Sequence, residues 1–177
     1  IGTWTGATNG NQWGNNIVSC GDISGDGFPD ILLSSYAAFE HAGGIQLIRS
    51  EDFMFQAGEE TPLTEANAWR GETSGDQAGV GLWCQNDLNG DDYADILIGA
   101  PFDDACGSDP TIKNCGVIYL ISGGPTLQTF GRLPDIAERA FRGPASNALC
   151  GQTIVGADFN LDTKVDLVLG CPGIESG

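Results

Sequence analysis

Basic residues are scarce in this sequence. Seven Lys and Arg stand against 24 Asp and Glu in 177 residues, a formal net charge of −17. Nucleic acid and anionic membrane surfaces are therefore excluded as expected partners, because counterion release needs clustered Lys and Arg. Long hydrophobic runs are missing too. No stretch approaches the roughly 18 consecutive apolar residues of a membrane-spanning helix, so no direct membrane insertion is expected. The start shows no basic segment followed by an apolar one, so any targeting segment is expected to be removed or to lie outside this chain. No Cys-x-x-Cys pair occurs, which argues against a zinc ribbon. The absence of any Asn-x-Ser/Thr sequon gives no support to a heavily glycosylated ectodomain. Helical periodicity is almost absent, and only "LPDIAERAF" offers even a short helix.

What the chain has is glycine, 27 residues and roughly twice the usual share, which favours turns and short strands. Six cysteines point to an oxidising compartment, hence an extracellular or cell-surface location. The acids are concentrated. Residues 21–35 read "GDISGDGFPDILLSS", 86–100 "NDLNGDDYADILIGA" and 157–171 "ADFNLDTKVDLVLGC". In register these give Asp22/Asp87/Asp158, Ser24/Asn89/Asn160, Asp26/Asp91/Asp162 and Asp30/Asp95/Asp166, at intervals of 65 and 71 residues. The chain is therefore a repeat protein.

Other landmarks keep the same order. "TWTG", "AWRG" and "AFRG" place Trp4, Trp69 and Phe141 17 or 18 residues before each first aspartate, and "GGIQLI" recurs as "CGVIYL". The second repeat is longer between its acidic loop and Gly116, where Cys106 and Cys115 bracket "GSDPTIKN". This insertion reads as a surface loop closed by its own disulfide. The remaining four cysteines permit three pairings, which the sequence leaves open. Cys150–Cys171 would flank one hairpin and Cys20–Cys84 would join neighbouring repeats. Each period holds four short strand candidates: one on either side of the acidic loop, the GG/CG strand and the aromatic-Arg-Gly strand. Four strands per repeat, repeated, is the pattern of a β-propeller blade.

Residues 13–36 and 78–101, "WGNNIVSCGDISGDGFPDILLSSY" and "AGVGLWCQNDLNGDDYADILIGAP", resemble the FG-GAP repeat of integrin alpha-chain propellers. The FG step appears as Trp13-Gly14, Ala78-Gly79 and Cys150-Gly151. The GAP step is intact at Gly99-Ala100-Pro101, becomes Gly170-Cys171-Pro172, and is lost at Ser34-Ser35-Tyr36. The fold class expected is all-β, an FG-GAP β-propeller segment with two complete four-stranded blades and partial blades at both ends. Residues 1–6 would be the outer strand of a preceding blade, 13–71 and 78–143 the two blades, and 150–177 a partial blade. An open stack would expose an apolar face at each end. The chain is therefore expected to be part of one longer propeller chain, with further blades before Ile1 and after Gly177.

Alternating oxygen donors in a tight loop suit calcium, which takes six to eight oxygens, at about 2.3–2.6 Å. The expected ligands at loop positions 1, 3, 5, 7 (backbone carbonyl) and 9 are Asp22, Ser24, Asp26, Phe28 and Asp30. The second loop offers Asp87, Asn89, Asp91, Tyr93 and Asp95, and the third Asp158, Asn160, Asp162, Lys164 and Asp166. Two to three Ca²⁺ ions are expected. An EF-hand is rejected because position 12 is Leu33, Ile98 or Leu169 rather than a bidentate Glu. Zinc is disfavoured by the lack of His and Cys, while residue type alone leaves magnesium open. Position 6 should be left-handed, which suits Gly27, is tolerated by Asp92 and suits Thr163 poorly. Leu161 also replaces the usual glycine, so the third loop is expected to be the weakest site.

Nothing reads as catalytic. His41 is the one histidine, in "FEHAGG", and no Ser/His/Asp set, phosphate loop or Cys/His pair can be assembled. The aromatic residues Trp4, Trp69 and Phe141 read as packing between blades. The function expected is a calcium-stabilised extracellular recognition or adhesion module, non-enzymatic, in a larger integrin-like protein. A lectin-type propeller, or the non-catalytic propeller of a secreted hydrolase such as a GPI-specific phospholipase, is the alternative. The resemblance implies that protein or glycan ligands bind segments 36–42 and 101–114, opposite the calcium loops.

Overall fold

The computed structural model describes residues 3–6, 10–53 and 60–174. Ile1, Gly2, residues 54–59 and residues 175–177 of the ranges above lie outside them. The strands are β1 (Thr3–Gly6), β2 (Asn16–Ser19), β3 (Ile31–Ser35), β4 (Gly44–Ile48), β5 (Glu60–Leu63), β6 (Trp69–Arg70), β7 (Gly81–Trp83), β8 (Ile96–Ala100), β9 (Val117–Ile121), β10 (Gly131–Arg132), β11 (Arg139–Arg142), β12 (Thr153–Ala157) and β13 (Asp166–Gly170). A first sheet runs β10-β6-β4-β3-β2, a second β11-β9-β8-β7, and β12-β13 form a hairpin. Within each, β2–β3–β4–β6, β7–β8–β9–β11 and β12–β13 are antiparallel neighbours. This all-β, stacked arrangement fits a segment of a β-propeller. Of "LPDIAERAF", only Leu133–Ile136 makes a helical turn, and Arg139–Arg142 is strand.

The central strands β8 and β9 read as unbroken apolar runs because both their faces are covered. In β8 and β9 the alternate residues Ile96, Ile98, Val117, Tyr119 and Ile121 pack against Leu32, Ile45, Leu47 and Trp69 of the first sheet. Their neighbours Leu97, Ile118 and Leu120 pack the other way, against Cys150 and Ile154. Full burial of each such side chain stabilises the fold by about 1.5–3 kcal/mol. At the flanks the same repeat positions are open. Ile17 is 59% exposed where Leu82 is 6%, and Val168 is 56% exposed where Leu97 is 0%.

The glycine steps are one interaction made three times. Gly14, Gly79 and Gly151 each sit near φ +90° and donate their N–H to Ser34 O, Gly99 O and Gly170 O at 3.0, 2.9 and 3.0 Å. Neighbouring sheets then meet backbone to backbone. A Cβ on Gly99 would lie 1.9 Å from Gly151 O. Ser34 stands at the position of Gly99, and its Oγ donates to Gly79 O at 2.7 Å. The departure from the motif thus exchanges a close approach for a buried hydrogen bond.

The parallel pairs β1–β5, with Trp4 opposite Thr61, and β6–β10, with Trp69 opposite Gly131, were not expected. Trp4 and Trp69 are aligned residues, so these are the same contact one repeat apart. β1 and β6 are each edged by a strand from the following repeat. Three disulfides staple the stack: Cys106–Cys115 closes the insertion, Cys150–Cys171 the hairpin, and Cys20–Cys84 joins the chain just before the first acidic loop to that just before the second. Among the described residues no helix is long and apolar enough to cross a membrane.

Candidate metal centres

Each acidic loop closes on itself in the same way. The position-1 carboxylate caps the loop's own N–H groups: Asp22 accepts from Gly25, Asp26 and Gly27, Asp87 from Asn89, Gly90, Asp91 and Asp92, and Asp158 from Asp162 and Thr163. Position 5 accepts from the position-7 N–H, as Asp26 from Phe28 at 2.8 Å, Asp91 from Tyr93 at 2.9 Å and Asp162 from Lys164 at 2.9 Å. Position 9 reaches back across the loop. Asp30 Oδ2 accepts from Ile23 and Ser24, Asp95 Oδ2 from Leu88 and Asn89, and Asp166 Oδ2 from Phe159. Position 6 is left-handed in all three, with Gly27, Asp92 and Thr163 at φ 90°, 71° and 72°. Leu161, 87% exposed, takes φ 63° where the other loops have glycine.

The second oxygen of position 9 bears on cation fit. In the second loop, Asn89 Nδ2 donates to Asp91 Oδ2 at 3.1 Å and to Asp95 Oδ1 at 3.4 Å. In the third, Asn160 Nδ2 does the same to Asp162 at 3.2 Å and Asp166 at 3.5 Å. An amide NH₂, the positive end of a dipole, thus sits between two carboxylates. The first loop has Ser24 there, and Asp30 Oδ1 and Ser24 Oγ are buried with no partner beyond the pull of the Ser24 hydroxyl on the Asp30 carboxylate. These two buried oxygens, one of them on the fully buried Asp30 carboxylate, fit a hard cation, since an under-satisfied buried acceptor is costly. As placed, no three Asp, Glu, His or Cys side chains among the described residues converge at metal-binding distance. Their oxygens are turned to the loop N–H groups.

Electrostatics separates the positions. Burial pushes the Asp30 and Asp95 carboxyls above the ordinary range, against N–H donors of Ser24 and Leu88 that pull down. Asp87 is held below it, chiefly by the Gly90 N–H. A bound cation would lower all of them.

Two supporting residues carry no carboxylate and give no sign of themselves in the acidic pattern. Ser50 Oγ donates to Asp26 Oδ2 at 3.0 Å, and Ser122 Oγ accepts from Asn89 Nδ2 at 3.1 Å. Each lies six residues after the first strand glycine, Gly44 or Gly116, so the repeat itself carried the signal. Gly123 N–H also reaches Asp95 Oδ1, at 3.2 Å.

At the opposite strand ends lie the connections 36–43, 71–80 and 101–116. His41 is exposed there, Arg70 lies 6.0 Å from the Phe39 ring centroid, and Lys113 pairs with Asp104 at 3.0 Å. Trp69 is fully buried between the sheets, whereas Phe141 is 39% exposed.

Residues 87–114 match the FG-GAP repeat family model. The chain is 28% identical over 174 residues to a phosphatidylinositol-glycan-specific phospholipase D of Dictyostelium discoideum, an alignment covering 88% of this chain and 17% of that protein. It is 27% identical over 173 residues to integrin alpha-11 of Homo sapiens, covering 93% of this chain and 13% of the relative. The chain spans less than a fifth of either protein.

Proposed function

We propose that this chain, which carries an integrin-like FG-GAP repeat, is a calcium-stabilised, non-catalytic recognition module within a larger extracellular β-propeller. The observation that carries the reading is the same alternation of oxygen donors in all three loops, with Asp30 Oδ1 and Ser24 Oγ of the first buried and turned to no donor outside the loop. Asp22, Ser24, Asp26, Asp30 and the Phe28 carbonyl would hold one ion, and the corresponding set from Asp87 to Asp95 another. The set from Asp158 to Asp166, strained at Leu161 and Thr163, would hold a weaker third. In this role the ion is structural, bracing the turn between the first two strands of each blade. The open apolar flanks at Ile17 and Val168 support further blades on both sides. The three disulfides support an oxidising, extracellular setting. Protein or glycan ligands would meet the connections 36–42 and 101–114.

The phospholipase similarity favours a second reading, in which the same module is the non-catalytic propeller of a hydrolase whose active site lies in another domain.

Calorimetry on chelated protein should find two or three calcium sites with dissociation constants of about 10⁻⁵–10⁻³ M. Binding to the folded loops alone adds RT ln(1 + [L]/Kd), about 2.7 kcal/mol per site at a hundredfold excess. Asp26→Ala and Asp91→Ala should therefore lower the Tm in calcium and far less in chelator. An equal loss in both, or no sites at all, rejects the reading.

A further inference from the structure

We propose that Asp76 and Asp103 form an acid-locked latch, holding the connection 71–80 against a left-handed turn at Phe39–His41 and releasing it more readily as pH rises. Phe39, Glu40 and His41 have φ of 53°, 57° and 67°. Residues with a side chain adopt that region singly, not in runs, so this turn must be held from outside. Glu65 Oε1 accepts from Phe39 N at 2.8 Å. The other holds come from the connection 71–80: Ser74 Oγ donates to Glu40 O at 2.6 Å, Gln77 N to His41 O at 3.0 Å and Ala78 N to Ala42 O at 2.9 Å.

The connection is itself closed by Asp76, which is 3% exposed. Its carboxylate accepts from Thr73 N at 2.6 Å and Thr73 Oγ1 at 2.7 Å, and its carbonyl accepts from Phe102 N at 3.3 Å. Phe102 adjoins Asp103, which is 1% exposed. Asp103 accepts from Tyr119 Oη at 2.5 Å and Ala105 N at 2.7 Å. The charged and titratable groups facing Asp76 are Glu72 from its own connection, Asp103 from the connection 101–116 and the Tyr119 hydroxyl from β9. Glu72 in turn pairs with Arg132 of β10 at 3.5 Å. The first repeat has Asn11 and Ala38 at the positions of Asp76 and Asp103, so the latch belongs to the second repeat.

Burial is the main force on Asp76, raising it from 3.8 to about 6, with Thr73 pulling down and Asp103 and Glu72 pushing up. In the opened connection the carboxyl is hydrated and titrates near 3.8. The closed form therefore holds the proton more tightly, and protonation favours closure. Linkage between these two values makes the opening equilibrium about tenfold larger at pH 7 than at pH 5. Near neutrality the face carrying Phe39–His41 is adaptable, and acid fixes it.

Hydrogen exchange followed by mass spectrometry on the 177-residue chain, at pH 5 and pH 7 and corrected for intrinsic rates, reads the opening directly. Amides of residues 39–43 and 73–79 should show opening constants about tenfold larger at pH 7. Asp76→Asn, which cannot ionise, should give equal constants at both pH values. Asp103→Asn should shrink the difference only in part, because it removes a like charge while burial, the main force on Asp76, remains; if Asp76→Asn fails to fold, the comparison of pH 5 with pH 7 in the parent chain decides the matter. Equal constants in the parent chain, or a tenfold difference surviving Asp76→Asn, would overturn the proposal.

Discussion

Replacing Gly99 by alanine tests the backbone contact between the second sheet and the β12–β13 hairpin. The added methyl would sit 1.9 Å from Gly151 O and 2.7 Å from Gly151 C. Carbon and oxygen settle at roughly 3.5 Å, so the two elements must part locally by about 1.5 Å. Neither side has a rotamer to yield, because both partners are main chain. Parting them strains the bonds from Gly79 N to Gly99 O and from Gly151 N to Gly170 O, each contributing about 1 kcal/mol. It also loosens the packing of Trp83, Leu97 and Ile118 on Ile154, where overpacking costs about 1–3 kcal/mol. The total is about 3–5 kcal/mol. Ser34→Ala at the aligned position only removes the hydrogen bond to Gly79 O, a loss of about 1–2 kcal/mol. Urea unfolding of both variants in calcium buffer gives the comparison. Gly99→Ala unfolding within about 1 kcal/mol of the parent, or no worse than Ser34→Ala, refutes the close approach as a rigid constraint.

Asp76 ties stability to pH. Its folded value, about 6, lies above the unfolded 3.8, so its contribution is complete below pH 3.8 and is lost as pH rises through 6. The loss is at most about 3 kcal/mol, and urea midpoints of Asp76→Asn should lack that part of the pH dependence; an unchanged profile counts against it. Leu161→Gly should stabilise the third loop by about 1 kcal/mol, because φ 63° costs a leucine and not a glycine. A lower urea midpoint for that variant would mean the leucine side chain is held by contacts. Replacing Cys106 and Cys115 together by serine should destabilise by roughly 2–3 kcal/mol through the freed loop, and an unchanged melting curve would show that the inserted loop needs no closure.

The strands after the acidic loops, β3, β8 and β13, were legible because each is a run of Ile, Leu and Val that opens at an aspartate. The third and fourth strands were legible because they recur at fixed distances. The left-handed position 6 was readable from Gly27. Other features left no local trace. β10 is two residues, Gly131 and Arg132, with no alternation to find, and it is a strand because β6 lies beside it. The left-handed turn occupies "FEH", with no glycine or asparagine, and Glu65, Ser74 and Gln77 impose it from elsewhere in the chain. Nor does anything in "GDQAG" or "FDDAC" say which aspartate is buried. Burial there is decided by how neighbouring connections meet.

The parallel edging strands mean that the unit of sequence and the unit of structure are out of step. The first sheet is complete only when Gly131 reaches Trp69, 62 residues further along. During synthesis at about 5–20 residues per second, that edge stays bare for roughly 3–12 seconds after β6 is made. A gene duplication or deletion cut at the sequence period would separate a sheet from its last strand. Such rearrangements would be tolerated only in multiples that carry the edging strand along, and a single repeat transplanted alone would arrive with one edge unpaired.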